Sequence, residues 1–169
     1  MRIRPAEPGD EAGIRAVHLA AFPTSAEAEL VERLGGEGDA VVSLAADAAG
    51  TIAGHIMMSR MRVDGDGRAL RAIGLAPIAV LPGYQGGGIG AALIHGGLAI
   101  ARATGEDLVF LLGEPDYYTR FGFSAEAAAP FASPYAGPYF MALALKTGAA
   151  APDKGSAAYA SAFSELPKG

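Results

Sequence analysis

Between Leu81 and Thr104 the chain reads LPGYQGGGIGAALIHGGLAIARAT, and four glycines there, Gly86, Gly87, Gly88 and Gly90, precede a stretch of helical spacing. The apolar positions of that stretch, Ile89, Ala92, Leu93, Ile100 and Ala103, predict a helix. A glycine turn that feeds a helix leaves the first N–H groups of the helix without intrahelical partners, and the helix dipole adds partial positive charge. The chemistry this offers is capture of a phosphate or pyrophosphate by backbone amides. No Lys or Arg stands between Arg71 and Arg102, so an anion here is held by main chain and by shape. Glycine suits that task because it permits positive φ and close approach to the backbone.

Spacing separates the motifs that use such turns. A P-loop needs Lys and then Ser or Thr after its last glycine, and here Ile89 follows Gly88 while Ala91 follows Gly90. The dinucleotide fingerprint GxGxxA is met by Gly86, Gly88 and Ala91, with Glu114 as an acidic ribose partner. That fingerprint should follow its strand directly, yet Leu81 to Gln85 intervene, so it is the weaker fit. The third pattern is QxxGxG, with Gln85, Gly88 and Gly90 in the fixed places. It resembles the acetyl-coenzyme A signature of the GCN5-related N-acetyltransferases (GNAT family).

Composition bounds what surrounds the turn. The 169 residues carry a formal net charge of -5, with 51% hydrophobic and 18% charged residues, which argues against disorder and against a nucleic-acid footprint. The chain has no cysteine, so disulfides, cysteine nucleophiles and thiolate metal sites are excluded, and His18, His55 and His95 form no metal-ligand pattern. We expect no metal. No apolar run reaches the roughly 20 residues of a membrane helix, and no signal-peptide core opens the chain, so we expect a cytoplasmic protein.

The elements that must position the turn can be read in order. Arg2 to Arg4 predicts a strand, and Pro8 to Phe22 a helix with Ile14, Val17, Leu19 and Ala21. Ser25 is placed to cap a second helix that Gly35 and Gly36 end. Strands follow at Ala40 to Ala46, Ile52 to Arg62 and Ala69 to Val80, with turn signals at Asp47 to Gly50 and Asp64 to Gly67. Connections this short make an antiparallel meander, which opposes a dinucleotide fold with its crossover helices. After the glycine turn and its helix, Leu108 to Leu112 reads as a buried strand, and strand, crossover helix and strand make a parallel pair. A short helix around Asp116 to Arg120 and a strand from Phe140 to Lys146 complete the domain, predicted as 1–147. The tail, 148–169, is rich in Ala, Gly and Ser, and Tyr159, Phe163 and Leu166 suggest that part of it packs.

The order of elements strengthens the resemblance and covers roughly Arg2 to Lys146. It implies an α/β fold of α+β type with a mixed sheet, the GNAT-like acyl-CoA N-acyltransferase fold: an antiparallel meander, then a β-α-β parallel unit with splayed central strands. Pro77 fits the splay, since proline cannot donate to a ladder. The resemblance assigns the backbone of Ile78, Ala79 and Val80 to the pantetheine arm of acetyl-CoA, and Gln85, Gly86, Gly87, Gly88, Ile89, Gly90 and Ala91 to its pyrophosphate. Tyr118, in YTRFGF, resembles the tyrosine that protonates the departing thiolate. A phenol with an ordinary pKa of about 10 stays protonated at neutral pH, which suits that step. The competing role for Tyr118 is an aromatic wedge between helix and sheet. The asparagine common in the family at the end of the strand after the crossover helix is absent, and Gly113-Glu114-Pro115 stands there, which resembles the YhbS-like branch of predicted acetyltransferases.

No acidic residue lies between Arg71 and Val80, where many relatives keep a general base. Glu27, in the helical arm that roofs the acceptor site in the family, is the best protein candidate, with Glu29 and His55 behind it. A water relay or an already neutral amine would otherwise suffice. The expected function is acetyl transfer from acetyl-CoA to a primary amine, on a small molecule or peptide, by direct attack in a ternary complex. The acidic balance favours cationic acceptors, and a homodimer is allowed for. The alternatives are a non-catalytic acyl-CoA-binding module and an NAD(P)-dependent oxidoreductase built on the GxGxxA match.

Overall fold

The structure is a computed structural model, and it describes residues 1–146 and 152–165. These fall into two compact units, Met1–Ser59 with Ala76–Ile100 and the segment from Ser161, and Arg60–Leu75 with Ala101–Ala160. Strands β3 (Thr51–Gly65) and β4 (Arg68–Val80) each contribute one part to either unit.

The first unit starts with β1 (Arg2–Pro5), which pairs antiparallel with β2 (Ala40–Ala48) from Arg2↔Asp47 to Pro5↔Leu44. β2 returns into β3 through Ala49 and Gly50, both at positive φ. Two consecutive positive φ values give the hairpin turn whose twist matches that of its strands. Asp47 Oδ1 accepts the Gly50 N–H at 2.8 Å and closes that turn. Helices α1 (Glu11–Ala21) and α2 (Ala26–Gly36) bury Ile14, Val17, Leu30, Val31 and Leu34. The predicted second helix is there, with two local differences. Ser25 holds the N-cap position, but its hydroxyl turns to Glu29 Oε1 at 3.3 Å rather than to a backbone N–H. Gly35 and Gly36 are helical, and the left-handed residue that reverses the chain is Gly38, at φ 78°.

Helix α3 (Ile89–Ala103) buries Ile89, Leu93, Ile94, Leu98 and Ala101, whereas Ala92 and Ala103 are exposed. The expected apolar face is therefore rotated. Alanine is small enough for either face, so the larger Ile94 and Leu98 decide the orientation. A Cβ on Gly54 of β3 would lie 3.1 Å from the Ala79 carbonyl oxygen and from Ile89 and Leu93 side-chain atoms. Its absence lets the first turn of α3 and the end of β4 lie close to β3.

In the second unit, β4 pairs parallel with β5 (Leu108–Leu112) over Ala72↔Leu108, Ile73↔Val109 and Gly74↔Phe110. The parallel pair is as expected, and it stops there. Leu111 and Leu112 of β5 continue pairing only with Met141 and Phe140 of β7 (Phe140–Ala144) among the described residues. The β3–β4 connection is Asp66-Gly67, again with both φ positive. Strand β8 (Gly155–Ala158) runs antiparallel to β3 from Arg62↔Ala158 to Gly65↔Gly155 and parallel to β6 (Phe131–Ala132). Asp66 carboxylate oxygens accept the N–H groups of Asp153 and Lys154 at 3.2 and 3.1 Å, fixing β8 to the β3–β4 turn. Neither β6 nor β8 was expected from sequence. The core of this unit centres on Phe110, which meets Phe131 edge-on at 5.1 Å and stacks on Phe140 at 5.3 Å.

Glu106, fully buried before β5, takes a two-point bond from Arg60 at 2.6 and 2.9 Å and a third from Arg71 at 3.1 Å. A buried carboxylate is tolerable only when its oxygens are paired in this way. The strands hydrogen-bond in the order β1-β2-β3-β4-β5-β7, a mixed sheet. The Tyr159 ring lies against Gly74, Phe163 is buried, and Leu166 lies outside the described residues.

Candidate functional site

The turn that leads to α3 follows directly from its residues. After Val80, the Leu81 N–H donates to Ala53 O at 2.8 Å, and Pro82–Tyr84 makes a tight helical turn closed by Tyr84 N–H to Leu81 O. Gln85 is extended, and its Nε2 donates to the Val80 carbonyl at 3.0 Å, so the side chain braces the turn against the strand end. Gly86 and Gly88 take φ of 84° and 87°, values that β-branched residues rarely adopt. The Gly88 carbonyl accepts the first helical bond, from the Ala92 N–H at 3.0 Å. The N–H groups of Ile89, Gly90 and Ala91 therefore precede any i−4 acceptor in the helix. Gly86, Gly87 and Gly88 are exposed, and a Cβ on Gly86 or Gly88 would meet no protein atom within 4 Å. That space, over a helix N-terminus bare of cationic side chains, fits a pyrophosphate held by backbone amides.

Ile78, Ala79 and Val80 form the last three residues of β4. Ala79 is buried, and Ile78 and Val80 are half-buried. They share the first unit with Gln85 to Ala91, so the structure brings together every residue expected to hold the cofactor.

Tyr118 belongs to the second unit. It ends the one-turn helix α4 (Pro115–Tyr118), which Pro115 opens at its first position. Tyr117 and Tyr118 both donate their N–H to Glu114 O at 3.1 Å. The Tyr118 ring is half-buried and meets Tyr117 edge-on at 4.9 Å and Phe123 at 6.3 Å. Burial first, and Tyr117 second, push the Tyr118 phenol above its ordinary pKa, so it is protonated at neutral pH. Its hydroxyl has no hydrogen-bond partner among the described residues. Gly113, which sequence reasoning noted only as a departure from the family pattern, is what seats this ring. A Cβ there would collide with Tyr118 Cε2 and stand 2.7 Å from Cδ2.

The candidate bases differ in setting. Glu27 is half-buried in the first turn of α2, and Glu29 is exposed and touched by Ser25. His55 is fully buried and occupied on both nitrogens, Nε2 at 2.9 Å from Ser43 Oγ and Nδ1 at 2.9 Å from His18 Nε2. Nothing in the sequence signalled the His18–His55 pair, whose members lie 37 positions apart. No cluster of metal-binding side chains occurs among the described residues, and no helix there is long and apolar enough to cross a membrane.

Residues 2–125 match the family model described as the acetyltransferase (GNAT) domain. The uncharacterized N-acetyltransferase YjhQ of Escherichia coli K12 is 40% identical over 116 residues, 68% of this chain and 64% of that protein. The chain thus spans just under two thirds of that relative's length. The uncharacterized N-acetyltransferase YhbS of the same strain is 38% identical over 128 residues, 75% of each chain. Among solved structures, Escherichia coli YhbS in complex with CoA superposes with a TM-score of 0.88 at 31% identity, covering 98% of this chain and 93% of that one. A GNAT family acetyltransferase from Brucella melitensis in complex with acetyl-CoA gives 0.78 at 37% identity, covering 96% and 97%.

Proposed function

The chain belongs to the GNAT acetyltransferase family, and on that premise we propose that it transfers the acetyl group of acetyl-CoA to a primary amine by direct attack in a ternary complex. The observation that carries this reading is the Gly86–Gly90 turn. It opens the amides of Ile89, Gly90 and Ala91 at the N-terminus of α3, with space where side chains would stand. Two structural neighbours were solved with CoA and acetyl-CoA, which supports the same ligand here.

The amine nitrogen attacks the thioester carbonyl carbon, the C–S bond breaks as the tetrahedral adduct collapses, and the sulfur leaves with the bonding pair. Tyr118 Oη–H supplies the proton that sulfur takes up, a role suited to a phenol kept neutral by burial. Ile78–Val80 would align the pantetheine arm along the strand end, and Glu27 would meet the acceptor ammonium. An acceptor bound as ammonium gives one proton to water before attack and a second as the adduct collapses, as no carboxylate stands between Arg71 and Val80, and the Tyr118 phenolate regains its proton from water. An enzyme that draws on acetyl-CoA and has no cysteine suits the cytoplasm.

Ligand-dependent melting followed by thiol release tests the reading. A ligand at 100 times its dissociation constant stabilises by about 2.7 kcal/mol, a visible rise in Tm. Acetyl-CoA should give that rise and NADH none, and free thiol should appear with at least one amine of a mixed panel. A rise with NADH alone would return the oxidoreductase reading. Stabilisation without thiol release from any amine would leave a binding module.

A further inference from the structure

The Tyr118 hydroxyl has no hydrogen-bond partner among the described residues, so the direction in which it points is set by what packs around its ring. Gly113 leaves room for the Cδ2–Cε2 edge, and the Phe121 and Phe123 rings stand 6.4 and 6.3 Å away between centroids. Tyr117 is nearer, edge-on at 4.9 Å and 89°.

A helix does not offer that contact by default. Consecutive side chains diverge around a helix, and the neighbours on its surface are three and four positions apart. Tyr117 has both neighbours, because α4 runs on into the short helical turn Thr119–Phe121. The Arg120 Cζ lies 4.5 Å from the centre of the Tyr117 ring, and the Phe121 ring meets it at 5.5 Å and 61°. Arg120 is tied down in turn, since its Nε donates to the Tyr117 carbonyl at 2.9 Å. One exposed arginine thus grips Tyr117 twice, by its main chain and by the face of its ring, where a cation is attracted. These contacts use the Tyr117 ring, and its hydroxyl makes no bond among the described residues. Held in this way, the ring is a fixed wall for Tyr118. All of these residues lie within the second unit.

We propose that Tyr117 is a positioning residue for acetyl transfer: its ring, clamped by Arg120, fixes the Tyr118 ring and with it the place from which the Tyr118 hydroxyl donates. The proposal rests on the reading of Tyr118 as the proton donor. It asks for an aromatic ring at 117 and a planar cation at 120, and it asks nothing of the Tyr117 hydroxyl.

The test is single-turnover acetylation of an amine that gives thiol release, with acetyl-CoA affinity measured by calorimetry on the same variants of the full chain. Tyr117→Phe keeps the ring and should run at the wild-type rate, whereas the same exchange one position on, Tyr118→Phe, should cost about 100- to 10,000-fold. Tyr117→Leu removes the wall and should slow the reaction about 10- to 100-fold, the scale of displacing a catalytic group by about 1 Å, with the acetyl-CoA dissociation constant unchanged. Arg120→Met keeps the stem and loses the cation, and should slow it about two- to five-fold. The double variant should be no slower than Tyr117→Leu, because Arg120 acts through Tyr117. Wild-type rates in Tyr117→Leu beside a slow Tyr118→Phe would overturn the proposal and leave Tyr118 as the donor. Slow turnover in Tyr117→Phe, or losses that multiply in the double variant, would overturn it too. Arg120 is exposed, so a wild-type rate in Arg120→Met decides against it even if Tyr117→Leu fails to fold. Wild-type rates in Tyr118→Phe, or no thiol release from any amine, would end both readings together.

Discussion

Gly88 and Gly113 are both glycines that follow a strand, and they are glycine for opposite reasons. A Cβ on Gly88 would touch nothing within 4 Å, but the residue sits at φ 87°, where side chains are strained. Gly113 has no positive φ, but a Cβ there would run into the Tyr118 ring. The first turn presents backbone and therefore depends on dihedral freedom. The second presents a side chain and therefore depends on empty volume beneath it. Substitutions at each should accordingly disturb different quantities, affinity for the cofactor in one case and the chemical step in the other.

The sharpest separation comes from Tyr118→Phe, which keeps the ring and removes the donor. A general acid contributes typically about 100- to 10,000-fold, so single-turnover acetylation should fall by that range while the acetyl-CoA dissociation constant barely changes. Single turnover is the proper readout, since slow product release would hide the loss. Wild-type rates in this variant would reduce Tyr118 to a packing residue.

Gly113→Ala keeps the phenol and displaces it. Misplacing a catalytic group by about 1 Å can cost on the order of 100-fold, so we expect a loss in single-turnover rate up to that size, again with cofactor affinity intact. If alanine instead weakens acetyl-CoA and spares the rate, the division of labour between the two turns is wrong.

Gly88→Val should act the other way. Forcing a β-branched residue to positive φ costs about 1 to 3 kcal/mol, and its side chain enters the space left for the pyrophosphate. Acetyl-CoA affinity should drop about tenfold or more in a protein that still folds, measured by calorimetry. Unchanged affinity would remove this turn from the cofactor site. The smallest effect belongs to Gln85→Ala, which deletes one exposed brace to Val80 O and should weaken acetyl-CoA only a few-fold, in line with a net hydrogen bond of about 0.5 to 1.5 kcal/mol. A loss larger than that of Gly88→Val would mean that the Gln85 side chain itself grips the ligand.

This contrast also explains what could be read in advance. Dihedral needs are written locally: the glycine spacing of Gly86–Gly90, and the paired positive-φ turns at Ala49-Gly50 and Asp66-Gly67, announced the turn and the meander. Volume needs are written between residues that only the fold brings together. The seat of Tyr118 on Gly113 depends on how the chain bends through Pro115, and the His18–His55 bond joins a helix to a strand. The buried face of α3 was misjudged because alanines satisfy either side of a helix. Strand β8, with the sequence GSAA, has no alternation of its own. It is a strand because Asp66 captures the backbone just before it and β3 offers partners.

Strand β3 is flanked along Thr51–Ser59 by β2 and along Arg62–Gly65 by β8. One flank of a single long strand is thus closed by two segments more than 100 positions apart in the chain. A shortened protein that ends near Lys146 would leave Arg62–Gly65 with bare N–H and C=O groups on an open sheet edge, a template on which a second molecule could add a strand. The small, weakly patterned residues of β8 therefore matter through their main chain, which covers that stretch of sheet edge.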